Sequence, residues 1–212
     1  MGIKVALVLG FALTAPMVVG YMEHKVLAHM QHRLGPMYAG RFHGWAQLIA
    51  DGVKFIQKED VIPRAADSWV FTLAPAVVLV PYLAIFLVIP FGNTLWAQNL
   101  DVGIFFILAI TAVSVIGVLM AGWASANKFS LIGALRAAAQ LIAYELPMIL
   151  AAVAVVMQAS TLSLVGISEA QHAYWFVLTQ PLAFGIFMIA SLAELTRPPF
   201  DMPIADSEII FG

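Results

Sequence analysis

The stretch VGIFFILAITAVSVIGVLMAGWA, residues 102–124, runs without a single charged side chain. An α-helix needs about 20 predominantly apolar residues to cross a hydrocarbon core about 30 Å thick. This stretch is long enough and apolar enough to do so, and it predicts a transmembrane helix. Lipid rather than water is therefore the medium that decides the fold.

Composition extends this conclusion to the whole chain. Apolar residues make up 62% of the 212 residues and charged residues 10%, with a mean hydropathy of +0.95, which excludes a soluble globular domain. Cysteine is absent, so this chain has no disulfide, no cysteine-held iron–sulfur cluster and no thiolate zinc site. No basic tract indicates nucleic-acid binding. The sequence predicts an integral membrane protein.

Five segments are long and apolar enough to cross a bilayer. We predict an all-α, polytopic membrane helix bundle of about five transmembrane helices, in one integral membrane domain over residues 1–212. The first segment is read as a retained span, because Leu13-Thr14-Ala15 lacks the small residue expected three positions before a signal-peptide cleavage point. The predicted spans are 3–22, 69–91, 102–124, 134–158 and 173–195.

Basic residues follow the first, third and fifth spans, and only Lys4 falls on the other side. By the positive-inside rule, the N-terminus lies outside the cytoplasm and the loops after these three spans are cytoplasmic. The basic residues assigned to the cytoplasmic side are Lys25, Arg33, Arg41, Lys54, Lys58, Arg64, Lys128, Arg136 and Arg197.

The first cytoplasmic loop contains an amphipathic pattern at about 43–58. Apolar residues recur at helical spacing from Trp45 to Ile56, with Asp51 and Lys54 on the opposite side. Such a helix lies flat at the membrane interface. It can serve only as an anchor, or its polar face, especially Asp51, can line the mouth of a cavity.

Polar residues are dense between Glu23 and Pro36, where the chain leaves the first span, and Gly35-Pro36 predicts a turn. The histidines at 24, 29 and 32 lack the i, i+4 pairing of a helical metal site. We interpret them as titratable groups near the lipid headgroups and predict no metal site.

The fourth span carries charged residues within an apolar helix. Glu145 lies near its middle, where a carboxylate is costly unless it is paired, hydrated or protonated. Glu145 is therefore a candidate proton-relay group, and the alternative is a neutral acid that only fixes helix packing. Arg136 lies nine positions earlier on the opposite side, and Pro147 predicts a kink.

The segment after the fifth span concentrates ionisable groups. It reads ELTRPPFDMPIADSE from Glu194 to Glu208, with four carboxylates and one arginine. A solvated loop is one reading of this cluster. A proton-handling site at the membrane edge is the other.

Four segments together resemble one family. They are residues 23–36, 47–60, 131–145 and 193–201, with the motifs EHKVL…QHRLGP, QLIADGVK…KED, LIGALRAAAQLIAYE and AELTRPPFD. In this order and spacing they resemble the ND1-like, or H-type, membrane subunit of proton-pumping NADH:quinone oxidoreductase, respiratory complex I.

The resemblance implies a subunit that forms the quinone tunnel and starts a row of carboxylates coupling quinone reduction to proton translocation. The motifs assign Glu23, Lys25, Arg33 and Asp51 to the quinone tunnel. They assign Glu145, Glu194, Asp201, Asp206 and Glu208 to the proton path, with Arg136 and Arg197 as charge partners.

The resemblance also implies the chemical setting. Quinone is the substrate, while NADH, FMN and iron–sulfur clusters belong to partner subunits, and no redox cofactor is expected in this chain. Expected partners are hydrophilic quinone-site subunits, neighbouring membrane subunits and lipid. The expected location is a bacterial plasma membrane or an organellar inner membrane.

The sequence departs from the family pattern at His24, where arginine is common, and at Ile204, where glutamate is common. Family chains also continue beyond the position of Gly212, so this chain is expected to be the N-terminal part of a longer protein. Two other functions remain open: the related membrane subunit of a membrane-bound hydrogenase, and a stand-alone ion channel or transporter.

Overall fold

The computed structural model describes residues 2–92 and 95–204, and these residues form eight α-helices and one short 3₁₀ turn, Met202–Ile204. The predicted all-α class is confirmed. The helices are α1 (Gly2–Met30), α2 (Gln47–Gln57), α3 (Ser68–Ile85), α4 (Gly103–Ala124), α5 (Lys128–Ala159), α6 (Leu164–Ala170), α7 (Phe176–Thr179) and α8 (Pro181–Glu194).

Four helices in the described residues, α1, α3, α4 and α5, are long and apolar enough to cross a membrane. Large apolar side chains such as Phe105, Ile116 and Leu150 are exposed on their surfaces. Surfaces of this kind are stable against lipid and costly against water. The chain is an integral membrane protein built as a polytopic helical bundle.

The fifth predicted span, 173–195, is not one continuous helix. The structure has the single turn α7 and the separate 14-residue helix α8. Pro181, which has no backbone N–H, starts α8 at its first turn, and Gln180 before it has non-helical φ and ψ of −131° and 56°. At 1.5 Å per residue α8 is roughly 21 Å long, shorter than a hydrocarbon core of about 30 Å. The prediction of a full-length fifth span is wrong because it neglected Pro181.

Two helices extend beyond their predicted bounds. α1 continues past residue 22 to Met30 and gives way to a turn in which His32 and Gly35 have positive φ. α5 begins at Lys128 rather than at 134, because the Asn127 side chain accepts a hydrogen bond from the Phe129 N–H at 3.0 Å and caps the helix. Polar residues at both ends were read as connections, although many polar residues are good helix formers.

Contacts divide the chain into two units, residues 1–61 and 62–212. In the first unit, the Tyr21 hydroxyl on α1 donates to the His43 carbonyl at 2.9 Å, just before α2. α2 starts at Gln47, later than the predicted 43, because His43 and Gly44 have left-handed φ. The single-domain organisation and the interfacial position of α2 stay predictions.

In the second unit the long helices alternate in direction. The Asp67 N–H donates to the Ala124 carbonyl at 3.1 Å, so the start of α3 meets the end of α4. At the opposite end, the Ile104 N–H donates to the Leu162 carbonyl at 3.1 Å, so the start of α4 meets the chain after α5. We call these the Asp67 end and the Leu162 end. The packing of α8 against α5 returns the chain from the Leu162 end towards the Asp67 end.

Small residues allow the helices of this unit to approach closely, as predicted from Gly117, Ala121 and Gly122. A Cβ added to Gly117 would lie 2.6 Å from a Val78 methyl on α3, and one added to Gly122 would lie 2.1 Å from the Ala134 Cβ on α5. Both glycines are buried, whereas Ala121 is exposed. Gly117 and Gly122 thus set the α3–α4 and α4–α5 contacts.

Candidate functional site

Three side chains of α5 share one face of the helix because they are four residues apart. They are Arg136, Gln140 and Tyr144, and we call them the α5 polar face. Gln140 is only 4% exposed, and the other two are half-buried. A buried amide left without hydrogen bonds costs about 1–3 kcal/mol. The partners of Gln140 must therefore come from a neighbouring element.

These partners lie around the segment that follows α8, residues 195–204, which we call the return segment. α8 ends at Glu194, and Thr196 takes a positive φ of 49°. The Arg197 N–H reaches back to the Leu192 carbonyl at 3.4 Å. A left-handed residue with such a backward hydrogen bond is a common way to close a helix C-terminus. A further turn brings the Phe200 N–H to the Arg197 carbonyl at 2.7 Å.

The return segment lies against the α5 polar face. The Gln140 Nε2 donates to the carbonyl oxygens of Ala193 and Phe200, both at 2.7 Å. The rings of Tyr144 and Phe200 meet edge to face, with centroids 5.3 Å apart, a favoured aromatic geometry. One amide and one ring therefore fasten two points of the chain, before and after the end of α8, to α5.

The two predicted arginines belong to the same region. Arg136 is half-buried, and its Nη1 donates to the Met202 carbonyl at 3.5 Å. The contact between α5 and the return segment thus continues for a third helical turn. Arg197 lies in the turn after α8 with an exposed side chain.

The structure brings together two predicted proton-path residues from distant parts of the sequence. Glu145 follows Tyr144 near the middle of α5, and Glu194 is the last residue of α8. Both are half-buried, and their carboxyl groups interact electrostatically, each negative charge opposing the other. Interacting acids favour states in which one of them holds a proton. The arrangement is suited to accepting and passing on a proton.

The remaining predicted acids follow Glu194 in sequence. Asp201 is exposed in the return segment, directly after Phe200, and the described chain ends in the 3₁₀ turn at Ile204. Asp206 and Glu208 lie outside the described residues. The described part of the acidic run is therefore Glu194 and Asp201.

Within the first unit, a cavity of about 500 Å³ lies beside Lys25. Its lining also includes Tyr21, His29, Met37 and His43. The Lys25 Nζ lies 5.9 Å from the centroid of the Tyr21 ring, within range of a cation–π interaction. The volume falls within the range of small-molecule sites, about 300–1,000 Å³, and its polar groups all carry or donate protons.

The Lys25 ammonium is also tied to the backbone that follows α1. It donates to the carbonyl oxygens of Pro36 and Leu34, the latter at 3.3 Å, and to the Met37 sulfur at 3.2 Å. Lys25 thus shapes the cavity wall and contributes a charge to it.

The other three predicted tunnel residues also lie in the first unit, outside the described lining of this cavity. Glu23 is half-buried on α1. Arg33 is exposed, and its Nε donates to the Gln31 side-chain oxygen at 2.8 Å. Asp51 is half-buried on α2 and accepts from the Gln47 amide at 3.2 Å.

The sequence prediction missed the role of Gln140 and of Phe200. The signal for Gln140 was present, because Arg136, Gln140 and Tyr144 are polar or amphipathic residues at i, i+4 and i+8 in an otherwise apolar helix. No pattern pointed to Phe200, whose carbonyl and ring both contact α5. Among the described residues, no group of three or more His, Asp and Glu side chains is arranged to hold a metal ion.

Sequence comparison identifies relatives over almost the whole chain. The sequence profile of the family described as NADH dehydrogenase matches residues 3–212. The NADH-quinone oxidoreductase H-type subunit 2 of Syntrophobacter fumaroxidans (strain DSM 10017 / MPOB) is 47% identical over 218 aligned residues. The alignment covers 99% of this chain and 66% of the length of that relative.

Proposed function

Because the chain belongs to the NADH dehydrogenase family, we propose that it is a membrane subunit of a proton-translocating NADH:quinone oxidoreductase. In this function it forms part of the quinone-binding tunnel and couples quinone reduction to proton translocation. The name of the similar protein from Syntrophobacter fumaroxidans supports this assignment. NADH, FMN and iron–sulfur clusters belong to partner subunits, and quinone is the substrate.

The observation that carries the proposal is the pairing of Glu145 with Glu194 beside the α5 polar face. Quinone takes up two electrons and two protons when it becomes quinol, so its reduction changes the charge and proton demand near the site. An acid pair responds to a nearby change of charge by taking up or releasing a proton. Glu145 and Glu194 therefore form the first described step of the proton path, with Asp201, Asp206 and Glu208 continuing the acidic run.

The cavity beside Lys25 is the proposed contribution to the quinone tunnel. The Lys25 ammonium can stabilise negative charge that develops on a quinone oxygen. Apolar lining residues, Leu34, Met37 and Phe42, suit the ring or tail of the same molecule. Glu23, Arg33 and Asp51 are proposed to act nearer the tunnel entrance.

Charge placement supports an orientation for the second unit. Arg64, Lys128, Arg136 and Arg197 all lie on the side of the Asp67 end, whereas Asp101 and Glu169 lie towards the Leu162 end. By the positive-inside rule the Asp67 end, the return segment and the acid pair face the cytoplasm. The proposed location is a bacterial plasma membrane or an organellar inner membrane, with the N-terminus outside.

Purification of the complete complex through an affinity tag on this subunit tests the function. We expect NADH-oxidising and quinone-site subunits to co-purify, and the complex to reduce quinone with NADH in an inhibitor-sensitive reaction. Co-purification of a nickel–iron hydrogenase subunit, with no NADH:quinone activity, would contradict the proposal.

A further inference from the structure

Gln140 occupies a central place in the contact between α5 and the return segment. Within residues 2–92 and 95–204 only Ser114 and Gln140 are polar side chains that are buried. The two hydrogen bonds from Gln140 Nε2 reach carbonyl oxygens on either side of the α8 terminus, at Ala193 and Phe200. A primary amide has two N–H donors, so both are engaged.

These two acceptors adjoin two acids. Ala193 immediately precedes Glu194, and Phe200 immediately precedes Asp201. Neighbouring Cα atoms are about 3.8 Å apart, so fixing the backbone at Ala193 and Phe200 also restricts where both carboxylates begin. Gln140 lies five residues before Glu145 on the same helix and ties both acids to the element that carries Glu145.

We infer that Gln140 is a positioning residue that holds Glu194, and with it Asp201, in register with Glu145. The inference rests on the proposed function, because it gives the acid pair its geometry for proton transfer. A proton passing between the two carboxyl groups leaves one oxygen and binds another, and no further reactant is needed. Such transfer requires hydrogen-bond reach, directly or through one water, so a loosened α8 terminus interrupts it.

A simple packing role predicts a different dependence. If Gln140 only satisfies buried carbonyl groups, its loss harms the protein equally whether or not residue 194 carries a carboxylate. If Gln140 acts by placing Glu194, its loss matters only while Glu194 is present. The two roles are therefore separated by a double-mutant cycle between positions 140 and 194.

The experiment uses the complete complex in its native membranes. Gln140→Met keeps the side-chain length and removes both N–H donors. We expect it to lower quinone-coupled NADH oxidation on the order of tenfold to a hundredfold, while ferricyanide reduction, which bypasses the quinone site, stays unchanged. Gln158→Met is the matched control, because Gln158 lies on the same helix and bonds Thr179 at 2.9 Å towards the Leu162 end. We expect that control to retain full activity.

The same substitution is then made in a Glu194→Gln background. There we expect Gln140→Met to lower the activity further by no more than about twofold, the usual scatter of additive effects. An equal fold loss in both backgrounds would overturn the inference, as would normal activity of the single variant.

A second variant guards against loss of folding. Gln140→Asn keeps the amide on a shorter side chain, and we expect a smaller loss of activity with the same dependence on Glu194. If neither variant assembles, Gln140 is a folding residue and the inference is wrong. A purified complex without NADH:quinone activity would instead refute the proposed function, so the two failures are distinguishable.

Discussion

The side-chain amide of Gln140 donates a hydrogen bond of 2.7 Å to the backbone carbonyl of Phe200, across 60 positions of sequence. This bond joins the middle of α5 to the segment after α8. It lies within one helical turn or so of Glu145, which interacts electrostatically with Glu194. Since buried polar contacts between membrane helices are few, a single amide can fix the register of two acid-bearing segments.

The first prediction concerns Glu194. Glu194→Gln removes one carboxyl group of the pair while keeping the side-chain shape, so proton exchange with Glu145 stops. We expect quinone-coupled NADH oxidation to fall at least about tenfold, within the range that proton-transfer groups contribute. The assay compares this variant with Glu169→Gln, which removes an exposed acid on α6 and should leave the rate unchanged. Equal rates in both variants would exclude Glu194 from the proton path.

The second prediction concerns the cavity in the first unit. Lys25→Met removes the ammonium that lines the cavity and bonds the Pro36 carbonyl. A hydrogen bond to a charged group is worth about 1.5–3 kcal/mol, so we expect quinone-site inhibitors to bind about tenfold more weakly. The matched control is Lys58→Met, an exposed lysine at the end of α2. Identical inhibitor titrations in wild type and Lys25→Met would remove Lys25 from the quinone tunnel.

The third prediction concerns packing of α4 on α5. In Gly122→Ala the new Cβ would stand 2.1 Å from the Ala134 Cβ, so the helices must separate. Overpacking of this kind costs about 1–3 kcal/mol and should lower the unfolding temperature of the purified complex. Gly185→Ala on α8 is the control, because its Cβ would meet nothing within 4 Å. An unchanged unfolding temperature for Gly122→Ala would show that α4 and α5 are not held at this distance.

Apolar length predicted the four long helices well, because a membrane span is a property of one continuous segment. It failed at 173–195, where the composition is apolar but Pro181 starts a new helix. It also shortened α1 and α5, whose polar ends remain helical. The close approaches at Gly117 and Gly122 were predictable, since a missing side chain is visible in the sequence and leaves room for a neighbour.

The candidate site was predictable only in part. Glu145 and Glu194 stood out as acids within or beside apolar segments, yet their proximity depends on how α8 packs on α5. Gln140 gave a weak signal, since its acceptors are backbone carbonyls, which no side-chain pattern specifies. Lys25 was identified by charge, but its bonds to the Leu34 and Pro36 carbonyls depend on the turn after α1. The roles of these residues stay predictions.

The most direct test of the account is Glu145→Gln in the complete complex, with NADH oxidation, quinone reduction and proton translocation measured on the same membranes. Glutamine keeps the shape of the side chain and cannot carry the proton. We expect quinone-coupled oxidation and pumping to fall by at least about tenfold, while NADH:ferricyanide reduction stays at the wild-type rate. Normal quinone reduction with a normal number of protons moved per NADH would contradict the account.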